Sequence, residues 1–177
     1  MSNANTLMAR NQDFAANFQA GDMPILPKLR TIILTCVDAR VDPAHVLGLE
    51  LGEAVVIRNN GGRVTREVLE EIAALAFIVA RMDGDAPKPF ELVIVQHTQC
   101  GAERFALPEV QGAIKANLGI DVSGSAIADH DQSLLDDIAR LRDAPEIPDH
   151  VIVSGFVYDV KSGQMRQVAA PKALGDA

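Results

Sequence analysis

TIILTCVDAR, residues 31–40, begins as a short apolar run and ends with a cysteine, an aspartate and an arginine at alternate positions. The run is almost entirely apolar rather than alternating, which is typical of a strand covered on both faces in a parallel sheet. A second stretch, VIVQHTQCGAE at residues 93–103, repeats the pattern with His97 and Cys100. We therefore expect two buried strands with reactive side chains at their carboxyl ends.

Two further runs rich in valine and isoleucine, at 54–58 and 151–155, complete a set of four such strands. Helical patterns lie between them, and the longest covers residues 66–82, with Thr65 as its expected N-cap. Residues 155–168 predict a final hairpin that turns near 161–163. This alternation predicts a single α/β domain with a mainly parallel central sheet flanked by helices.

The first thirty residues differ from the rest of the chain. A loose apolar stripe over residues 5–19 indicates a helix, and two prolines in GDMPILPK, residues 21–28, interrupt it. We interpret residues 1–30 as an N-terminal helical arm that packs on a partner subunit, while a helix lying on its own domain is equally compatible. Residues 31–177 then form the α/β domain.

Composition excludes several classes of protein. The formal net charge of −8, with no block rich in lysine or arginine, argues against binding to nucleic acid. The longest apolar run, residues 72–80, is roughly half of the ~20 residues that a membrane span needs, and no secretory signal is visible. We therefore expect a cytoplasmic protein without a membrane partner, whose cysteines serve a metal or catalysis rather than a disulfide.

Four side chains follow the first and third strands as candidate ligands: Cys36, Asp38, His97 and Cys100. Ligand sites of parallel sheets lie beyond the carboxyl ends of the strands, so these side chains converge if the two strands are neighbours. Two thiolates, one imidazole and a carboxylate or water make a tetrahedral zinc set, and thiolates disfavour magnesium and calcium. Each residue alone would more often be an ordinary core or surface residue, whereas the four together predict zinc.

Asp38 and Arg40 distinguish a catalytic from a structural zinc site. Asp38 either takes the fourth position on the metal or pairs with Arg40 and leaves that position to water. A guanidinium partner keeps the carboxylate ionised and oriented, so that it accepts a hydrogen bond from zinc-bound water. An ordinary salt bridge within the loop is the alternative interpretation.

The motifs CVDAR, RNNGG and HTQCG resemble those of the β-class carbonic anhydrases, which carry Cys-x-Asp-x-Arg, Arg-Asn-Ala-Gly-(Gly/Asn) and His-x-x-Cys-Gly. The closing GFVYDVKSGQM also resembles that family's last segment. The similarity extends over residues 31–168 and is greatest to the smaller, prokaryotic branch. It implies an α/β fold with a mainly parallel sheet, assembled as a homodimer or a higher even-numbered homo-oligomer.

The resemblance also implies roles for individual residues. It implies one Zn²⁺ per chain bound by Cys36, His97 and Cys100, with Asp38 as the exchangeable fourth ligand, and Asp38 with Arg40 as the catalytic pair. Asn60 stands where the family usually has alanine, which changes the surroundings of the substrate pocket and removes no ligand.

The expected activity is that of a zinc lyase, the reversible hydration of CO₂ to bicarbonate and a proton by zinc-bound hydroxide, rising with pH above neutrality. Gly61 and Gly62 bring backbone close to the site and are expected at the substrate pocket. His45, His130 and His150 are candidate proton carriers, although each is more typical of a surface histidine. Two further hypotheses are a COS or CS₂ hydrolase on the same scaffold and a non-catalytic zinc-binding homologue.

Overall fold

The computed structural model describes residues 2–84 and 88–176, and its five strands form one sheet in the order β2-β1-β3-β4-β5. The strands are β1 Thr31–Cys36, β2 Ala54–Asn59, β3 Glu91–His97, β4 Ile152–Tyr158 and β5 Met165–Ala173. All neighbouring pairs are parallel except β4 with β5. The predicted α/β fold with a mainly parallel sheet is confirmed. Residue 1 of the predicted arm, and residues 85–87 and 177 of the predicted domain, lie outside the described residues.

Helices cover the sheet and supply the other half of the core. They are α1 Asn3–Ala16, α2 Pro43–Val46, α3 Arg66–Asp83, α4 Pro108–Leu118 and α5 His130–Asp143. Ile72 of α3 and Leu134 of α5 are fully buried and belong to the same core cluster as Leu34 and Leu92 of the central strands. The cluster residues of β1 and β3 share one face of the sheet, so α3 and α5 cover that face. Ile33 and Val95, on the opposite face, are also buried, as continuous apolar runs predict.

The second strand departs from the expectation that all four runs are buried on both faces. β2 is an edge strand, and Val56 at its centre is 41% exposed. Within the described ranges, β2 has a strand on one side alone. The apolar composition of β2 therefore does not mark a central strand. It leaves apolar surface exposed at the edge of the sheet.

The predicted hairpin is confirmed and joins β4 to β5. The amide of Asp159 donates to the Gln164 carbonyl at 2.8 Å, and the Gly163 amide donates back to the Asp159 carbonyl at 2.8 Å. Gly163 has a φ of 73°, a conformation that glycine adopts without steric cost. This antiparallel pair closes the far edge of the sheet.

Two helix starts differ in how they are capped. Thr65 occupies the predicted N-cap of α3, but its side chain makes no capping hydrogen bond. Asp129, by contrast, caps α5 by accepting a hydrogen bond from the Gln132 amide at 2.8 Å. The start of α5 is therefore the more firmly defined of the two.

The N-terminal helix lies apart from the core. None of the residues of α1 is buried, and Leu7, Met8 and Phe14 are all more than half exposed. The rings of Phe14 and Phe18 contact each other, with centroids 5.4 Å apart. The helix thus leaves an apolar face uncovered, and its packing on a partner subunit stays a prediction.

None of the helices among residues 2–84 and 88–176 combines the length and the apolar character needed to cross a membrane. The cytoplasmic location stays a prediction.

Candidate metal centre

Neighbouring parallel strands bring the predicted ligands together. β1 and β3 pair in register from Thr31 with Glu91 to Thr35 with Val95, and the Thr35 hydroxyl donates to the Val95 carbonyl at 2.8 Å. Cys36 ends β1 and His97 ends β3, so both side chains emerge at the same sheet edge. With Cys100 they form a buried cluster whose ligand atoms all lie within 4.8 Å of one another.

His97 is oriented for a metal by one backbone contact. Its Nδ1 lies 2.9 Å from the Thr98 carbonyl oxygen and donates to it, which leaves the lone pair of Nε2 directed at the two sulfurs. Nε2 is buried and has no hydrogen-bond partner in the described part of the chain. A buried polar atom without a partner costs about 1–3 kcal/mol, so this nitrogen fits a metal ligand better than a packed imidazole.

The two thiols share charge unequally in this cluster. The Cys36 and Cys100 sulfurs are 3.7 Å apart. Hydrogen bonding from the Cys100 side chain outweighs burial and lowers the pKa of Cys36 to about 4, with help from His97 and the amides of Asp38 and Gly61. The neighbouring Cys36 thiolate and burial raise the pKa of Cys100 far above its usual range. Without metal, the pair therefore holds one thiolate and one thiol.

Burial by itself lowers the pKa of His97, but contact with the Cys36 thiolate and the Thr98 carbonyl outweighs that effect and raises it. Two sulfurs and one imidazole are donors that zinc accepts readily and that hard cations avoid. The cluster therefore fits zinc, and the described residues contain one such group of three or more potential ligands.

Asp38 lies beside this cluster and faces Arg40. The Arg40 guanidinium donates to both carboxylate oxygens, Nε to Oδ1 at 2.9 Å and Nη2 to Oδ2 at 2.7 Å. Arg40 holds the pKa of Asp38 well below its usual range, although burial opposes this. Oδ2 of Asp38 is 3.9 Å from Nε2 of His97. The carboxylate is therefore ionised, held by Arg40 and close to the three clustered ligand atoms.

The glycine turn packs against both segments that carry the cysteines. Gly61 and Gly62 are buried and have φ values of 81° and 62°. A Cβ on Gly62 would lie 2.9 Å from the carbonyl carbon of Thr35, and one on Gly61 would lie 2.9 Å from Cβ of Ala102. Side chains therefore have no room here.

A small apolar cluster surrounds the cysteines, formed by Val41, Ala102, Ile127, Phe105, Tyr158 and Val160.

Several residues that sequence reasoning did not single out support the site. Arg58 of β2 donates to the Cys36 carbonyl at 2.9 Å and to the Asp38 carbonyl at 2.7 Å. Arg40 also donates to the carbonyl of Gln99, whose φ of 56° is uncommon for a residue with a side chain. Arg58 could have been identified from the sequence, because it is the first residue of the RNNGG motif. Nothing in the local sequence indicated the conformation of Gln99.

His130 is not an isolated surface histidine. Its Nδ1 lies 2.9 Å from Oε1 of Gln96, and its Nε2 lies 3.2 Å from Oε1 of Glu103. The same Glu103 oxygen accepts the Cys100 amide at 2.9 Å. His130 therefore links β3 to the turn after Cys100. His45, with its side chain 87% exposed near Asp42, remains a surface residue.

A mainly parallel α/β sheet carries at its strand ends a Cys-His-Cys cluster that could hold a metal ion, next to a carboxylate–guanidinium pair. Residues 31–144 match the family model for carbonic anhydrase. The chain belongs to the carbonic anhydrase family, and within that enzyme family to the β class.

Individual relatives agree with this assignment. The chain is 34% identical over 167 residues to β-carbonic anhydrase 1 of Mycobacterium tuberculosis, covering 91% of this chain and 94% of that protein. The crystal structure of a carbonic anhydrase from Streptococcus mutans superposes with a TM-score of 0.76 at 35% identity, covering 95% and 98% of the two chains. A carbon disulfide hydrolase of Acidithiobacillus thiooxidans is 26% identical over 160 residues, covering 77% and 76%.

Proposed function

We propose that the protein catalyses the reversible hydration of CO₂ to bicarbonate and a proton, with one zinc ion held by Cys36, His97 and Cys100. The observation that carries the proposal is the buried Nε2 of His97, which has no partner among the described residues and faces two sulfurs 3.7 Å apart. Membership of the carbonic anhydrase family supports the choice of reaction.

Zinc at this position supplies a nucleophile near neutral pH by making water more acidic. Asp38 is the residue proposed to accept a hydrogen bond from the attacking water. Two contacts from Arg40 keep the carboxylate ionised and restrict its orientation. Cys36, His97 and Cys100 would hold the metal, and Asp38 would become a further ligand only if it left Arg40.

The surroundings of the cluster suit a small apolar substrate. Gly61 and Gly62 contribute backbone without side chains, and Val41 and Ile127 contribute apolar surface beside the cysteines. CO₂ carries no charge and donates no hydrogen bond, so an apolar wall next to the metal admits it without an unpaired polar group. These residues are closely packed, so we propose that the substrate binds next to them, beside the proposed ligands, with Gly61 and Gly62 forming the back of the pocket.

Stopped-flow CO₂ hydration from roughly pH 6.5 to roughly pH 9, on protein whose zinc content is quantified in the same sample, tests the proposal. We expect about one zinc per chain and turnover that rises with pH. The matched variant Asp38→Asn should keep its zinc and lose most turnover, because an amide donates where the carboxylate accepts. Full zinc occupancy without CO₂ turnover at any pH would reject the proposal.

Hydrolysis of CS₂ or COS is the second candidate, and the similarity to a carbon disulfide hydrolase favours it. These substrates are also linear and uncharged, so the same three ligands serve them equally. Release of hydrogen sulfide from CS₂ or COS, measured on the zinc-loaded sample, separates the two activities. A non-catalytic zinc protein would bind zinc, turn over none of the three substrates and be indifferent to Asp38→Asn.

We also propose that residues 1–30 form an arm that binds a second copy of this chain in a homodimer. The apolar face of α1 covers nothing on its own domain, and isolated helices of this length are marginal in water. An apolar groove lies where the end of the arm meets the domain, and its lining includes Ile25 of the arm and Val55, Leu75, Val79 and Met82 of the domain. A partner's arm would cover both surfaces.

Light scattering after size exclusion tests this assembly. The double substitution Leu7→Asp with Phe14→Asp should shift the protein towards monomer, whereas Leu118→Asp, at an exposed position on α4, should leave the mass unchanged. A wild-type monomer at assay concentration would reject the homodimer, and an unaltered mass in the double variant would reject the arm as its interface.

A further inference from the structure

A buried ion pair joins the glycine turn to helix α5, and neither of its residues has a role in the proposed reaction. Arg63, 4% exposed, binds the fully buried Asp137 through Nε to Oδ2 at 2.7 Å and Nη2 to Oδ1 at 3.1 Å. Burial raises the pKa of Asp137, and the Arg63 guanidinium opposes that rise. Buried ion pairs carry a large desolvation cost and are often no more stabilising than apolar residues of the same size. This pair therefore requires an explanation other than stability.

Arg63 is held at its backbone as well as at its side chain. Oδ1 of Asn59 accepts the Arg63 amide at 2.9 Å, and Nδ2 of Asn59 donates to the Arg63 carbonyl at 2.7 Å. Arg63 also donates through Nη1 to the Ala126 carbonyl. The turn between Asn59 and Arg63 is thus closed at its base and tied to two other segments of the chain.

That closed turn contains Gly61 and Gly62, which meet the metal cluster directly. A Cβ on Gly61 would lie 2.9 Å from Cβ of Ala102, two residues after Cys100, so the turn packs on the segments that carry both cysteines. A Cβ on Gly62 would come within 3.1 Å of the Cys36 amide nitrogen. A shift of the turn by a few tenths of an ångström would therefore move the groups around Cys36.

We infer that Arg63 and Asp137 are positioning residues for the metal centre, holding the glycine turn against the backbone of Thr35 and Cys36 and against Ala102. The inference rests on the proposed zinc site. Neither residue touches the metal or the substrate; both act through the turn. The partner on α5 is suitable for this purpose because Asp137 lies on a helix packed against the sheet, and the bidentate contact restricts both distance and direction.

The test separates positioning from stability by replacing the whole pair. In Arg63→Met with Asp137→Leu, apolar side chains of similar size fill the buried space. Arg140, which also contacts Asp137 at 3.3 Å, keeps its bond to the Val64 carbonyl and is 45% exposed, so its charge remains solvated. Asp131 lies on the same helix as Asp137 and forms an exposed ion pair with Arg166 of β5. Asp131→Asn, which breaks that pair, is the matched control. The readouts are thermal unfolding, zinc release to an excess of chelator well below the unfolding temperature, and the thiolate absorption bands of the cobalt-loaded protein.

We expect the double variant to unfold within a few degrees of wild type yet to release zinc about 10- to 100-fold faster and to show altered cobalt bands. Asp131→Asn should match wild type in zinc release and cobalt bands, and lose at most the small stability of one exposed ion pair. Wild-type zinc release and cobalt bands in a folded double variant would overturn the inference.

Arg63→Lys provides the second measurement if the double variant does not fold. Lysine keeps the charge and loses the two-point contact, so it should release zinc faster than wild type while remaining folded. A zinc-release rate in Arg63→Lys equal to that of wild type would contradict positioning by the two-point contact. Wild-type protein that retains no zinc would reject the metal site itself, whereas zinc-loaded protein that turns over CS₂ instead of CO₂ would leave the release assay valid.

Discussion

At the scale of single residues, the ligand character of His97 depends on which ring nitrogen carries the proton. The Thr98 carbonyl, 2.9 Å from Nδ1, selects the tautomer with that nitrogen protonated. The other nitrogen then has a lone pair and no partner among residues 2–84 and 88–176. One backbone carbonyl thus leaves Nε2 of His97 available as a ligand in the proposed metal site.

Arg40→Gln tests the role of the Asp38–Arg40 pair. Loss of the guanidinium should raise the pKa of Asp38 towards its ordinary value and free the carboxylate to move. We expect zinc to remain bound and kcat/KM for CO₂ to fall about 10- to 100-fold. Because the ordinary aspartate pKa of about 3.9 lies well below the assay range, the freed carboxyl stays ionised there, and the loss should be similar at every pH measured.

Arg104→Gln is the control, because that arginine lies on the turn after Cys100 and is not among the groups that shift the pKa of Asp38. Wild-type kcat/KM for CO₂ in zinc-loaded Arg40→Gln would contradict the role of Arg40 in holding the Asp38 carboxylate. Zinc content and stopped-flow rates on the same samples provide the comparison.

Zinc uptake by the metal-free protein should release protons. Cys36 is already a thiolate above about pH 4, whereas the raised pKa values of Cys100 and His97 mean that both retain protons to higher pH than usual. Binding must displace those protons, so zinc affinity rises with pH. Titration in weak buffer with a pH indicator should show about one proton per zinc near pH 8, and more as the pH is lowered.

Zinc uptake without proton release at pH 8 would show that Cys100 is already ionised in the metal-free protein. The Cys36 thiolate would then not raise the pKa of Cys100.

At the scale of secondary-structure elements, the site depends on the turn between β2 and α3 as much as on the ligand-bearing strands. The apolar runs identify β1 and β3 from sequence alone, and their parallel pairing places Cys36 beside His97. The glycine turn then packs on the end of β1, with Gly62 against Thr35. Because the two glycines have no side chains, the turn can pack directly on the end of β1.

Gly62→Ala tests that close packing. A methyl group would meet the backbone of Thr35 at 2.9 Å, in addition to the cost of a φ of 62°. Gly119→Ala is the matched control, with a φ of 70° and nothing within 4 Å of its added Cβ. We expect the control to lose about 1–2 kcal/mol of stability and to retain zinc. Gly62→Ala should lose more stability and release zinc faster.

Chemical unfolding and zinc release measured on both variants make the comparison. Equal losses in the two variants would show that the positive φ alone, and not the contact with Thr35, explains the glycine.

At the scale of the whole molecule, ion pairs between distant segments contribute to stability against acid. Arg30 lowers the pKa of Asp83, and Arg166 lowers that of Asp131. A carboxyl whose folded pKa is depressed contributes stability above its unfolded pKa of about 3.9 and loses it as the pH falls through the folded value. We therefore expect unfolding midpoints to be steady near neutrality and to fall below about pH 4.

Asp83→Asn should lower the midpoint at pH 7 and flatten its decline in acid, because the variant has less ion-pair stability to lose. Thermal unfolding from pH 7 to about pH 3 measures this effect. Parallel curves for the variant and wild type throughout acid would show that the Arg30 contact does not depress the pKa.

The sequence by itself determined the class of fold and the chemistry of the ligands. Continuous apolar runs alternating with helical patterns specify strands covered by helices, and the donor atoms of Cys36, His97 and Cys100 select a zinc-like metal whatever surrounds them. Both properties are local, since they depend on side-chain type and on position along a strand. The motifs of the β-class family have the same local character.

Only the tertiary structure decided which of these strands and side chains are in contact. The placement of β3 next to β1, the edge position of β2, and the pairing of Arg63 with Asp137, 74 positions apart, depend on how the whole chain packs. Such contacts form where burial and charge are satisfied together over distant segments, and no short stretch carries that information. The same reason explains why α1 could be predicted as a helix while the surface that covers it could not.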